Sequence, residues 1–164
     1  LDGAIHNYDF ALQMLGPAAS VQASSAQFDS TSVGADTASA IINFVSGDQH
    51  TLIWSWGMAP GAPSAHLNDL IGPKGTLQFG MTAATAPKGF DPKAQGAFTF
   101  KGKGGRERVF TYRQRDMFLD QAKHVVGCYE KGEQPLATGA DGLAALELGL
   151  AVLKSGKARR TIAL

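Results

Sequence analysis

Two side chains near the start of the chain have the types and spacing for proton transfer: Asp2 and His6. On a helix, residues four apart can touch. A carboxylate beside an imidazole fixes its tautomer, and an imidazole changes charge near neutral pH, as a general base must. Asp9 and Gln13 extend the same polar stripe. Such spacing also arises on plain solvated helix faces, so the pair gains meaning from the residues around it.

The element that must position them is a helix. Ile5, Tyr8, Leu12 and Leu15 recur at helical period and make an apolar stripe beside the polar one. Gly16-Pro17 ends the segment, because Gly takes a left-handed conformation and Pro cannot continue the helix. The chain opens on Leu1 with no capping lead-in before Asp2. It therefore reads as a fragment whose upstream part lies elsewhere.

The 164 residues suffice for one domain with a core. A net charge of +1 without a basic run argues against nucleic acid as a partner. No apolar run is long enough to cross a membrane, and no signal-peptide pattern opens the chain. The single Cys128 excludes an internal disulfide and points to a reducing cytoplasm. Its apolar neighbours make it core filler. Four His and one Cys lack metal-ligand spacing.

After Pro17 the pattern alternates. Strands are expected over 21–28, 37–46 and 50–58, the last two joined by a tight turn at Gly47-Asp48. Ala38, Ala40, Ile42 and Phe44 share one face, and so do Leu52, Trp54, Trp56 and Met58. Further strands are expected over 66–71, 76–80, 98–101, 109–112 and 160–164, with an irregular insertion over 81–96. Gly102 to Arg106 is a flexible turn, since it lacks the spacing of a nucleotide-binding loop. Helices are expected over 115–131 and 138–155. The first carries Phe118, Ala122, Val125 and Tyr129. The second starts at a Thr138/Asp141 capping box, buries Leu143, Leu146, Leu150 and Leu153, and closes at Gly156. The fold class is α+β, a largely antiparallel open sheet with helices on one face. An uncovered apolar sheet face favours a homodimer or tetramer through that face.

The segment from Gly132 to Ser155, with its G-x-x-P, Thr-Gly-x-Asp-Gly and Ala151-x-x-x-Ser155 features, resembles the close of the glucose–fructose oxidoreductase / inositol dehydrogenase (Gfo/Idh/MocA) family. The opening is similar too: Asp2-x-x-x-His6, then Asp9, then Leu15-Gly16. Leu70-Ile-Gly72-x-x-Gly75-Thr-Leu77 resembles the family's I-x-G-x-x-G-x-L hairpin. The likeness runs over nearly the whole chain, in the order and spacing of the family's second domain.

The resemblance implies that residues 1–164 form a C-terminal substrate-binding and oligomerisation domain, with the N-terminal Rossmann domain not present in this chain. The full-length enzyme would use NAD or NADP to oxidise or reduce a sugar, polyol or related hydroxy compound. His6 would be the base that takes the hydroxyl proton, and Asp2 would orient it. The family's Glu-Lys-Pro lysine would lie in the other domain, so the fragment alone would be inactive and bind no cofactor. Trp54 and Trp56 offer faces for a sugar ring, although a sheet Trp more often serves core or interface. Tyr112 and Arg113 end a strand and would line a pocket. His66 and His124 read as structural. The rival reading is a non-catalytic α+β module that binds a small ligand or dimerises.

Overall fold

A computed structural model describes residues 3–59, 61, 69–81 and 85–164. Asp2 and His66 lie outside them. The chain forms two compact units, Leu1–Ala62 with Pro135–Leu164, and Pro63–Gln134.

The first unit opens with α1 (Ile5–Leu15), whose Tyr8 and Ala11 are buried. It ends as Gly16-Pro17 dictates: Gly16 has φ 85°, and its N–H donates to the Leu12 carbonyl at 2.9 Å. Four antiparallel strands follow in the order β3-β2-β1-β8: β1 (Ala18–Ala26), β2 (Thr37–Phe44), β3 (Gln49–Ser55) and β8 (Ile162–Ala163). Alternation works as expected. Ala40, Ile42 and Phe44 are buried, while Ile41 and Val45 are exposed. Opposite them, Leu52 and Trp54 pack against the same core. Trp56 falls just past the end of β3 and is 67% exposed. Val21 sits between Ile42 and Ile162 in register and is fully buried. Burying an aliphatic side chain of this size contributes about 1.5–3 kcal/mol.

The last helix, α3 (Gly139–Ala158), begins at the expected capping box. The Thr138 N–H and hydroxyl both donate to Asp141 Oδ2 at 2.7 Å, and the Asp141 N–H reaches back to Thr138 Oγ1 at 3.4 Å. Its buried face differs from the expectation. Leu143, Leu146, Leu150 and Leu153 are all exposed, and Ala145, Leu148, Gly149, Ala151, Val152 and Ser155 are buried instead. The reason is close approach: α3 packs on β1, and small side chains let a helix come near a sheet. Ser25 crowds Gly156, where an added Cβ would sit 2.8 Å from the Ser25 hydroxyl. Gly156 therefore does not end the helix. α3 continues to Ala158, and Arg159 takes the left-handed position at φ 52°.

The second unit holds a separate antiparallel sheet, ordered β4-β5-β6-β7: β4 (Asp69–Gly72), β5 (Gly75–Phe79), β6 (Gln95–Gly102) and β7 (Glu107–Arg113). The α+β antiparallel class holds, with the strands divided between two sheets. Gly75 explains its own identity. Its φ is 148°, and a Cβ there would lie 2.2 Å from the Lys101 carbonyl oxygen. Phe98 stacks on Phe110 across the strands, centroids 5.0 Å apart, and the Arg108 guanidinium lies over Phe110. The turn over Lys103–Gly105 is a short 3-10 turn, with positive φ at Gly104 and Gly105.

α2 (Met117–Lys131) starts one residue after Asp116, whose carboxylate accepts the Phe118 and Leu119 N–H groups, and stops at the left-handed Gly132. Arg115, expected inside this helix, precedes it and pairs with Asp120 at 2.7 Å. The stripe of Phe118, Ala122, Val125 and Tyr129 is exposed.

Candidate functional site

α1 presents two faces to two depressions of the first unit. Ala4, Tyr8 and Ala11 face the core, which turns His6 to the opposite side, where it is exposed. His6 and Asp9 line one depression together with Ile5, Ala137, Thr138, Asp141 and Ala145. Its volume is about 230 Å³. The far wall is the first turn of α3. Hydrogen bonds from the Thr138 side chain and then the Thr138 backbone hold the Asp141 carboxyl below the usual carboxylate range. An anionic carboxylate and an imidazole therefore line the same hollow. Asp9, a member of the polar stripe, is half-buried there.

The second depression lies on the other side of α1. Gly3, Tyr8, Asp36, Thr37, Trp54 and Trp56 line it. Its volume is about 60 Å³, room for a few waters rather than a whole sugar ring. Trp54 and Trp56 meet edge to face, centroids 5.9 Å apart at 68°. The Trp54 Nε1–H is buried without a hydrogen-bond partner among the described residues. Gly3 is packed on this ring, and a Cβ there would lie 2.3 Å from it. Asp36 accepts the N–H groups of Phe28 and Asp29 at 3.0 and 2.8 Å and the Thr37 hydroxyl at 2.9 Å. These bonds, led by Phe28, keep its carboxyl ionised below the usual range.

The expected site residues thus separate. Trp54 and Trp56 meet in one depression, and His6 lines the other. Asp2 lies outside the described residues. Tyr112 and Arg113, both exposed on β7 of the second unit, are consecutive on a strand and point to opposite faces. The Tyr112 ring occupies the space beside Gly96, where a Cβ would meet it at 2.3 Å. Asp9, Asp141, Tyr8 and Asp36 were missed as site residues. The capping box was legible, but only the packing of α3 brings Asp141 near His6.

Elsewhere, Cys128 lies 3.5 Å from His124 Nε2 on α2 and is partly exposed, not core filler. Among the described residues no three His, Cys, Asp or Glu side chains gather as a metal site, and no helix is long and apolar enough to cross a membrane.

Comparison with known proteins gives a match over part of the chain and a likeness of fold over nearly all of it. Residues 1–78 match the sequence model of the GFO/IDH/MocA C-terminal domain. No curated protein matches the chain in sequence. Among solved structures, the chain is similar to the aldose-aldose oxidoreductase of Caulobacter crescentus complexed with glycerol. The TM-score is 0.75 at 21% identity, over 98% of this chain and 46% of that one. An oxidoreductase from Agrobacterium radiobacter, in complex with NAD+, L-tartaric acid and magnesium, gives 0.74 at 21% identity, over 99% and 48%. The WlbA dehydrogenase of Bordetella pertussis, with NADH and UDP-GlcNAcA, gives 0.60 at 19% identity, over 98% and 43%. The chain spans about half the length of these relatives, and the likeness is one of fold.

Proposed function

We propose that this chain, which carries the GFO/IDH/MocA C-terminal domain pattern over residues 1–78, is the substrate-contacting domain of a nicotinamide-dependent oxidoreductase acting on a sugar, polyol or related hydroxy compound. The observation that carries this reading is the position of His6. It is exposed on α1 and lines a hollow with Asp9, Thr138 and Asp141, instead of being spent in the core. The solved relatives with glycerol, tartaric acid and a UDP-sugar support the class of compound.

The described residues contain no strand–glycine turn–helix unit, so NAD or NADP would be held by a dinucleotide-binding domain outside this chain. That cofactor supplies the hydride acceptor. This chain's part is the proton. His6 takes it from the substrate hydroxyl, which raises electron density on the oxygen and loosens the adjacent C–H bond. In this reading Asp2 orients the imidazole, and Asp141 lines the same hollow as His6.

The same reading gives the domain a second copy as partner. The outer face of the first sheet carries Gln22, Ser24, Ser39, Ile41, Thr51 and Ile53, with no charged side chain among them. Two such faces can meet without burying an unpaired charge.

The test is His6→Ala in the full-length dehydrogenase, assayed by NAD(P)-linked oxidation of a panel of sugars and polyols. Turnover should fall at least ~100-fold with the fold unchanged. Turnover near normal would leave the domain a binding and dimerisation module without a catalytic part.

A further inference from the structure

The hollow at His6 has a sign as well as a base. Among the described residues that line it, Asp9 and Asp141 carry carboxyls and none is Lys or Arg. Asp141 is held by the Thr138 N–H and hydroxyl, which are neutral donors and leave its negative charge in place. The α3 N-terminus, with about +0.5 of an elementary charge, offsets only part of one carboxylate. The surroundings keep this sign. The first Lys or Arg in the sequence is Lys74, after six aspartates. The cations of the first unit are Lys154, Lys157, Arg159 and Arg160, all in the last turns of α3 or just past its end. Lys154, the nearest of them to Asp141 along the helix, is about 20 Å away at a rise of about 1.5 Å per residue. That is more than twice the screening length of about 8 Å at physiological salt.

A substrate that presents one hydroxyl to His6 brings the rest of itself to this wall. The other hydroxyls of a neutral sugar or polyol can donate to carboxylates, which accept. A sugar acid or sugar phosphate instead sets a further anion against Asp9 and Asp141, with no cation in the lining to pair it. Like charges at close range cost binding. We propose that the His6 hollow selects hydroxy compounds by charge: it takes uncharged sugars or polyols and turns away sugar acids and sugar phosphates, with Asp9 and Asp141 as the discriminating residues. This rests on the reading of His6 as the proton acceptor and narrows its substrate class. Asp141 also caps α3, so Asp9 is the residue to change.

The experiment uses the full-length dehydrogenase and the same panel of sugars and polyols. Each member with a hydroxymethyl group is set against the acid that has a carboxylate in its place, as D-glucose against D-glucuronate. The readout is the ratio of kcat/KM, neutral over acid, by NAD(P)-linked oxidation. The neutral member should lead at least ~tenfold. Raising the ionic strength from about 0.02 M to about 0.5 M should narrow the ratio, since salt screens charge and leaves shape alone. Asp9→Asn keeps the size and removes one charge, and should narrow the ratio at least ~threefold. Both members of a ratio meet the same protein, so a partial loss of fold or turnover cancels. A ratio near one, or a ratio unmoved by salt or by Asp9→Asn, would overturn the selection. Preference for the acids would overturn it too and leave the proposed function standing. Oxidation of no member, neutral or acid, would remove both.

Discussion

The hydroxyl of Ser155 accepts the N–H of Ala23 at 2.9 Å, 132 residues earlier in the chain. The same hydroxyl donates to the Arg160 carbonyl at 2.7 Å. One fully buried side chain thus ties α3 to β1 and to the segment entering β8. Ser155→Ala strands both backbone groups. We expect a loss of about 1–3 kcal/mol, measured by urea unfolding of the chain. Ser155→Cys, of similar size but a weak donor and acceptor, should lose a comparable amount. No loss in either would show that the two bonds add nothing.

Gly75 is held to glycine by its backbone. Gly75→Ala would place a methyl against the Lys101 carbonyl oxygen at a φ that side chains avoid. The expected cost is about 1–3 kcal/mol, with amide exchange accelerating along β5 and β6. Gly72 has nothing nearer than 4.0 Å to its ideal Cβ, so Gly72→Ala should leave that exchange close to wild type.

His50 lies on the inner face of β3, opposite Ile42, with its Nδ1 buried and unpartnered among the described residues. Burial pushes its pKa down. The unfolded chain then binds the proton more readily, so stability present above the ordinary histidine value of about 6.5 drains as pH falls toward the lower folded value. Urea midpoints measured from pH 7.5 to 5 should decline. In His50→Leu, which removes the titrating group, the decline should flatten over that range. An equal slope in both proteins would assign the effect elsewhere.

The Thr138/Asp141 box loses support in the same direction, at lower pH. Its carboxyl sits below the usual range because Thr138 bonds to the charged form. Its support for α3 is therefore complete above about pH 4 and lost only as pH falls through the lowered value. Asp141→Asn should reduce helix content at neutral pH and remove this last acid step, as far-ultraviolet circular dichroism would report.

The uncharged outer face of the first sheet sets an expectation for assembly. At micromolar concentration, light scattering should give at least a dimer, and Ile53→Lys, which places a charge at an exposed position of that face, should return a monomer. A wild-type monomer would count against the sheet-face interface.

Local signals in the sequence carried far and then stopped for a definite reason. Gly16-Pro17, Gly47-Asp48, Thr138/Asp141 and the alternation over Ala38 to Phe44 each act within a few residues, and each appears as expected. The inner face of α3 did not. Its leucines form the most apolar arc, but contact with β1 selects residues by size, and Ala145, Ala151 and Ser155 are the small ones. The division of the strands into two sheets depends on pairings across long loops, which no single turn encodes. His6 stood out by type and spacing. Its neighbour Asp141 is brought to it only by the packing of α1 on α3, and Trp54 and Asp36 come to line one depression only where β2 pairs with β3.

The outward leucines of α3 have a practical consequence. Leu143, Leu146, Leu150 and Leu153 form a ridge that water touches along most of a 20-residue helix. Leu143 and Leu150 are the most exposed of the four, at 55% and 50%, so exchanging these two for polar side chains costs the folding equilibrium little. The effect of the ridge falls on colloidal behaviour: this polypeptide, concentrated in water, should reach its solubility ceiling well before its unfolding midpoint, and Leu143→Lys with Leu150→Glu should raise the former while sparing the latter.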